Sequence, residues 1–247
     1  MIPDEIRKQS RSVKNRIRSI VSDAEFVQCV QEAYEKPLVA NKRCGLWYIP
    51  PKFRQETCYF KSTDGHTGEW AFSIKRLNLH LIPFICENQG AILVDSTRRG
   101  KAMPDAFSKT VPIWCSVINR AIFGHSELHL PPRVVSQSEK QQISDRIDEW
   151  AANLLAMVPK SQFTVDRPLR PIWVTQDGLL PPVVPEFSDF YPVILCTASE
   201  RAQDGQIHRQ GYSYVQGAAD DHELWAGQLT PEMLWTHDEL RQDISET

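Results

Sequence analysis

The sequence predicts an α/β fold: a largely parallel or mixed sheet flanked by helices, with an N-terminal helical segment. Two apolar runs, Ala91–Val94 and Val193–Thr197, are continuous, as in strands that are buried on both faces of a sheet. Segments with helical spacing of apolar residues alternate with the predicted strands, and this alternation is typical of parallel sheets. Polar clusters follow several strands, at the end where ligands bind in such sheets.

The chain has 247 residues, 41% of them hydrophobic, and can bury one large core or two small ones. We expect a basic helical segment over residues 1–37, an α/β domain over 38–236 and a polar tail over 237–247. The net charge is −3, so any contact with RNA must depend on local basic patches.

The six cysteines have no CxxC spacing, and several lie in apolar runs. This pattern favours reduced core thiols over disulfides or zinc ligands. The N-terminus has no apolar signal-peptide region, and no run reaches the ~18 apolar residues of a membrane span. We therefore expect no membrane anchor and a cytoplasmic location.

An amphipathic helix is predicted over Pro3–Val21, with isoleucines and a valine on one stripe. Its remaining surface carries the cations Arg7, Lys8, Arg11, Lys14, Arg16 and Arg18. Two interpretations stay open for this basic surface, a solvated face and an RNA contact. Ser22 and Glu25 have the spacing of a capping box, which predicts a second helix that ends near Pro37.

Aromatic and β-branched residues predict strands at Leu46–Ile49 and Thr57–Lys61. A helix is expected over Ile74–Ile85, kinked at Pro83, although its alternating pattern also fits a strand. The later elements are a helix opened by a capping box and three strands, at Ser136–Leu155, Ile172–Thr175, Val193–Thr197 and Tyr212–Gln216.

The stretch from Gly90 to Gly124 predicts a strand, a polar loop and a helix capped by Thr110. A basic loop that meets a helix N-terminus is a natural site for an anion. Known phosphate loops do not fit, because Gly100-Lys101 lacks the remaining residues of a Walker loop. Neither Cys115 nor Cys196 has the arginine of a Cys-x5-Arg phosphatase motif, so the spacing alone indicates only an anion.

Longer strings resemble one family, the initiator tRNA phosphoribosyl transferases of fungi and plants. They are ANKRCGLWY (40–48), CYFKSTDGHTGEWAFSIKRLNLHL (58–81), DSTRRGKAMPDAFSKTVPIWC (95–115) and YVQGAADDHELWAGQLTPEMLW (214–235). The resemblance implies transfer of a 5-phosphoribosyl group from phosphoribosyl pyrophosphate to the ribose 2′-hydroxyl of an adenosine in the T-stem of initiator tRNA. Members of this family continue into a C-terminal phosphatase-like domain, and we expect that domain to be absent from this chain.

The residues themselves suit this chemistry. Arg98, Arg99 and Lys101 suit phosphates, and Asp95 is a candidate for a base, a metal ligand or the partner of a loop arginine. Asp220 and Asp221 form a pair that suits Mg²⁺, which the pyrophosphate donor implies, or that starts a helix. Four cations are predicted to bind tRNA: Arg7, Lys8, Arg11 and Lys14.

Further roles come from the resemblance. Asp64 and His66 are expected to join Asp95 as catalytic residues, although an Asp-Gly pair is also ordinary turn chemistry. The remaining predicted substrate-binding residues are Lys61, Arg76, Asn78, His80, Ser96, Thr97, Asp105, Ser108 and Lys109. The predicted partners are initiator tRNA and phosphoribosyl pyrophosphate, with no DNA and no membrane. Trp70 is a candidate for base stacking.

Two other functions remain open. One is a non-catalytic nucleotide- or tRNA-binding module, and the other is a phosphatase-like enzyme.

Overall fold

A five-stranded sheet lies at the centre of the protein, in a computed structural model that describes residues 12–98 and 100–242. All of its strand pairs are parallel, and the strand order is β2-β1-β3-β5-β4. The strands of the sheet are β1 (Leu38–Asn41), β2 (Arg54–Cys58), β3 (Ala91–Asp95), β4 (Leu169–Val174) and β5 (Tyr191–Thr197). An antiparallel hairpin stands apart from the sheet and consists of β6 (Gln206–Arg209) and β7 (Tyr212–Val215). The predicted α/β fold is therefore confirmed.

Helices cover both faces of the sheet. They are α1 (Val13–Tyr34), α2 (Leu81–Glu87), α3 (Val111–Phe123), α4 (Gln137–Ser144), α5 (Ile147–Met157), α6 (Pro231–Thr236) and α7 (Glu239–Gln242). Leu93 and Leu195 point to the core shared with α2, α3 and α5. Ile92 and Ile194 point to the core shared with α1. Within the described residues, no helix combines the length and the apolarity needed to cross a bilayer.

The N-terminal helix differs from the prediction. One continuous helix, α1, crosses the predicted boundary between Val21 and Ser22, and Ser12 caps it by accepting a hydrogen bond from the backbone of Asn15. The predicted start at Pro3 lies outside the described residues. The capping box at Ser22 is not used because neither glycine nor proline interrupts the helix there; the Ser22 hydroxyl instead accepts a hydrogen bond from Arg209. The end near Pro37 is confirmed, since Glu35 adopts a left-handed conformation with φ of 48°.

The strand predicted at Leu46–Ile49 is wrong. The chain forms a 3-10 turn at Gly45–Trp47, and the strand next to β3 is β1, which lies just after Pro37. β2 begins at Arg54, ahead of the predicted start, and ends at Cys58. The helix expected over Ile74–Ile85 is restricted to α2, because Asn78 takes a positive φ of 47° that no helix continues through.

The helix predicted to start at Thr110 begins earlier. A π-helical turn over Ala106–Thr110 precedes α3, so Thr110 lies inside the helical segment and its hydroxyl donates to the carbonyl of Lys61 at 3.2 Å. The predicted C-terminal end is confirmed at Gly124, which has a φ of 76°. The capping box at Ser136 is also confirmed, but the helix that follows is divided into α4 and α5.

Candidate functional site

The carboxyl ends of β1, β3 and β5 place three polar residues in one row. Asp95 is opposite Thr197 in the β3–β5 register, and Asn41 follows the pair of Ala40 and Val94 between β1 and β3. All three side chains are buried. A buried polar row at this edge of a parallel sheet marks the usual place of a ligand site.

Asp95 is fully buried and hydrogen-bonded on both carboxylate oxygens. The backbone N–H of Ser96 donates to Oδ1 at 2.8 Å, and Nδ2 of Asn41 donates to Oδ2 at 2.9 Å. Burial raises the pKa of Asp95 to about 6, although the Arg43 cation and these two donors act in the opposite direction. Its ion-pair partner is Arg43, whose Nε lies 3.6 Å from Oδ2, and not Arg98.

Arg43 links two carboxylates, and its sequence position did not predict it as a site residue. Besides Asp95, its Nη2 lies 3.4 Å from Oδ1 of Asp220 and donates to the carbonyl of Ser96 at 3.1 Å. Burial opposes its charge, but the two carboxylates raise the pKa of Arg43 above its usual value. The signal for Arg43 was its position just after β1, and β1 itself was not predicted.

Asp220 faces this arginine from the opposite side. The thiol of Cys44 donates to its Oδ1 at 2.8 Å, and burial raises the pKa of both groups. Its Oδ2 is buried and accepts no hydrogen bond from the described residues, although Nε of Arg98 lies 3.7 Å away. Asp221 points outward and pairs with Nη1 of Arg98 at 2.5 Å.

Asp220 and Asp221, the predicted ligands of Mg²⁺, fit this ion only in part. No group of three or more histidine, cysteine or acidic residues suited to a metal occurs in residues 12–98 and 100–242. Mg²⁺ is often held by one or two carboxylates together with substrate phosphates, and the free Oδ2 of Asp220 suits that arrangement.

The loop after β3 is fastened to two neighbouring segments. Thr97 exchanges two hydrogen bonds of 3.1 Å with the Ser199 hydroxyl, through its N–H and its carbonyl. The side chain of Gln216 accepts from the N–H of Gly100 at 2.9 Å and donates to the carbonyl of Lys101 at 2.8 Å. A Cβ at Gly217 would lie 2.7 Å from the carbonyl oxygen of Thr97, so only glycine allows this approach. These bonds fasten Thr97, Gly100 and Lys101 to the neighbouring segments.

Part of the predicted basic surface of α1 faces inward. Nη1 of Arg16 donates to the carbonyls of Ala218 and Asp220, at 2.6 and 3.2 Å, and Arg18 donates to the carbonyl of Gly211 at 2.6 Å. Arg16 therefore holds the segment that carries Asp220, and Arg18 binds the turn between β6 and β7. Lys14 lies in the first turn of α1. Arg7, Lys8 and Arg11, which were predicted to bind tRNA, lie outside the described residues.

A second group of predicted residues surrounds the end of β2. Asp64 pairs with Arg76 at 3.0 Å, and His80 contacts the carbonyl of Thr57 at 2.8 Å. Asn78 contacts the backbone of Tyr59, and Lys61 is exposed beside it.

Asn41 connects this group to the first one. Its side chain donates to the carbonyl of Phe60 as well as to Asp95, and it accepts from the N–H of Phe60. The two groups of residues therefore adjoin each other at Asn41.

The remaining predicted residues are divided between the loop and the core. Lys101 and His66 both contact Asp105, at 2.9 and 3.5 Å. Ser108 is buried with its hydroxyl unpaired among the described residues, and the ammonium of Lys109 pairs with Glu139 at 3.0 Å. Arg99 lies outside the described residues.

The predicted stacking role of Trp70 does not fit its position. The side chain is buried, and its Nε1 donates to Glu139 at 2.8 Å.

Comparison with known proteins assigns the chain to a family. Residues 6–247 match the family described as "Rit1 N-terminal domain". The chain belongs to the Rit1 family. This Rit1 domain carries the four strings of the resemblance around its sheet edge, since three of them contain Arg43, Asp95 and Asp220 and the fourth follows β2.

Two curated proteins share most of this Rit1 domain. The tRNA A64-2′-O-ribosylphosphate transferase of Saccharomyces cerevisiae is 44% identical over 99% of the chain, and an uncharacterised protein of Schizosaccharomyces pombe is 43% identical over 95%. The chain spans 54% of each of these proteins, about half of their length. No solved structure matches it.

Proposed function

We propose that this chain transfers a 5-phosphoribosyl group from phosphoribosyl pyrophosphate to the ribose 2′-hydroxyl of an adenosine in the T-stem of initiator tRNA. The name of the Saccharomyces cerevisiae relative supports the tRNA substrate and the ribosyl phosphate group. The observation that carries the proposal is the Arg43 guanidinium, held between Asp95 and Asp220 at the sheet edge. Such a fixed cation suits a phosphorylated donor.

The phosphates of the donor have several possible contacts at this edge. Arg43 and Arg98 supply guanidinium groups, and the Arg98 side chain is exposed enough to turn toward a ligand. The hydroxyls of Ser108 and Thr197 are buried and make no hydrogen bond with the described residues. These hydroxyls would donate hydrogen bonds to phosphate oxygens, in addition to those from the two arginines. Arg99 and Lys101, in the loop after β3, are further proposed contacts of the phosphates.

The transfer makes one bond and breaks one. The 2′-hydroxyl oxygen bonds to the anomeric carbon of the donor, the bond from that carbon to the diphosphate breaks, and diphosphate leaves with its electron pair. The hydroxyl proton passes to a base. Asp95 is buried and satisfied on both oxygens, so its role is to position Arg43.

Asp220 is the acidic residue of the site with a free buried oxygen. That oxygen would accept the hydroxyl proton or hold Mg²⁺, which supplies charge neutralisation of the leaving diphosphate when bound. Raising the Mg²⁺ concentration should restore turnover of Asp220→Asn if the residue holds the metal, and should not restore it if the residue is the base.

A label transfer assay tests the proposal. The chain is incubated with phosphoribosyl pyrophosphate labelled in its ribose, together with initiator or elongator methionine tRNA, and the labelled nucleotide is mapped. Label in an adenosine of initiator tRNA supports the proposal. Binding of tRNA without label indicates a binding module, and release of phosphate alone indicates a phosphatase-like enzyme. Burial and two nearby carboxylates raise the pKa of the Cys44 thiol well above its usual value, so Cys44 does not suit the role of a thiolate nucleophile.

A further inference from the structure

Tyr59 stands out among the aromatic residues of the described chain. It is 40% exposed, and it is the only phenylalanine, tyrosine or tryptophan among the exposed residues of 12–98 and 100–242. It lies immediately after β2, where burial alternates: Cys58 and Phe60 are buried, whereas Tyr59 and Lys61 are exposed. The alternation turns the Tyr59 side chain away from the core beneath it.

The backbone of Tyr59 is held by a single side chain. The amide of Asn78 accepts from the N–H of Tyr59 at 3.0 Å and donates to its carbonyl at 3.2 Å, as a neighbouring strand would do. Asn78 reaches this position with a positive φ of 47°. A non-glycine residue in that conformation costs free energy, and such conformations are concentrated at functional sites.

The ring of Tyr59 is supported as well. The guanidinium carbon of Arg76 lies 5.8 Å from the ring centroid, and Nη2 of Arg76 is fixed by both carboxylate oxygens of Asp64, at 3.0 and 3.2 Å. Asp64, Arg76 and Asn78 therefore hold the exposed ring of Tyr59 in position.

The surroundings of Tyr59 favour RNA over other ligands. Lys61 is exposed two residues further on, and exposed Lys42 donates its backbone N–H to the carbonyl of Cys58, next to Tyr59. Neither ammonium group forms an ion pair with a described residue. An aromatic ring between cations is the usual platform for an unpaired base and its phosphates.

The platform also adjoins the proposed site of transfer. Phe60 is hydrogen-bonded through both backbone groups to Asn41, and Asn41 donates to Asp95. A nucleotide on Tyr59 would therefore lie beside the row that carries the donor.

We infer that Tyr59 is a stacking platform for a nucleobase of the RNA acceptor, with Lys42 and Lys61 binding the adjoining phosphates. The inference rests on the proposed function for the identity of the acceptor. It assigns Asp64, Arg76 and Asn78 as positioning residues that act through Tyr59.

The test measures affinity for an initiator tRNA transcript and, separately, for phosphoribosyl pyrophosphate. Tyr59→Ala should weaken tRNA binding at least ~5-fold, the lower end of the effect of removing a base–aromatic stack, and should leave donor affinity unchanged. Tyr59→Phe keeps the ring and should bind tRNA as the wild type does. Thermal unfolding of each variant verifies that it is folded.

The lysines give an independent measurement. The double variant Lys42→Gln, Lys61→Gln should reduce the slope of tRNA affinity against salt by about two, whereas Lys160→Gln, an exposed lysine in the turn Lys160–Gln162, should leave the slope unchanged. Equal tRNA affinity of Tyr59→Ala and wild type would overturn the inference. Failure of the proposed function is distinguishable, since it shows as absence of label transfer by the wild-type chain.

Discussion

Replacing Asp95 by asparagine measures two effects of its buried charge, one on the free energy of unfolding and one on turnover. The substitution keeps the shape of the side chain and removes its charge. In the wild type, burial raises the pKa of Asp95 from 3.8 to about 6, so the folded protein disfavours the ionised form. At about 1.4 kcal/mol per pH unit, ionised Asp95 costs the fold ~3 kcal/mol relative to the unfolded chain.

The direction of the pH effect follows from this pKa. Because the folded pKa lies above the unfolded one, the folded state binds the proton more tightly. The wild type should lose stability as the pH rises from about 4 to about 7, with no further change from this group at higher pH. Asp95→Asn lacks this contribution. Its free energy of unfolding should therefore fall less than that of the wild type between pH 4 and pH 7, by about 2 kcal/mol, because the rest of the ~3 kcal/mol is lost below pH 4.

Urea unfolding at a series of pH values measures both curves, and the difference between them cancels the contributions of other titrating groups. Parallel curves between pH 4 and pH 7 would refute the assignment of a raised pKa to Asp95. Turnover of Asp95→Asn should fall roughly 100-fold, because Arg43 loses the carboxylate that orients it. A folded variant with normal turnover would remove Asp95 from the mechanism.

Three further changes test other parts of the account. Gly45→Ala should destabilise the fold by at least ~2 kcal/mol in urea unfolding, because the new Cβ would lie 2.1 Å from the carbonyl oxygen of Val94; a wild-type midpoint would contradict this packing. Arg98→Ala should weaken donor binding or lower the rate by ~10-fold, as measured by equilibrium binding and steady-state kinetics, and unchanged values would exclude Arg98 from the donor site. Neutralising four cations together should weaken tRNA binding and flatten its salt dependence without changing donor affinity; they are Arg7, Lys8, Arg11 and Lys14. Superimposed salt curves of this variant and the wild type would show that these side chains form only a solvated face.

The central strand and its loop were predictable because their signals are local. Ala91–Val94 is a continuous apolar run. The confirmed end of the helix at Gly124 depends on one glycine, which readily adopts the left-handed conformation that ends a helix. The gathering of polar clusters at one edge followed from the alternation of strands and helices. Asp95, Thr97 and Ser199 do meet there.

The errors occur where tertiary contacts override local pattern. β1 has four residues and is recognisable only by its two neighbours in the sheet. Arg43 was missed with it, because its role depends on carboxylates that are distant in sequence. Lys109 follows a basic loop in sequence, yet its ammonium pairs with Glu139, which is 30 residues further along the chain, and no local spacing reports that pairing. Tyr59 resembles an ordinary strand residue until Asn78 and Arg76 are placed around it.

The conservative substitution of Arg43 tests the central claim that this arginine binds the donor. Arg43→Lys keeps a cation between Asp95 and Asp220 but loses the planar fork that binds phosphate through two hydrogen bonds. Equilibrium binding of phosphoribosyl pyrophosphate should weaken at least ~10-fold, while tRNA affinity and the unfolding midpoint stay near those of the wild type. Arg133→Lys, an exposed arginine between α3 and α4, is the matched control and should bind the donor normally. Wild-type donor affinity in Arg43→Lys and Arg43→Ala would contradict the account.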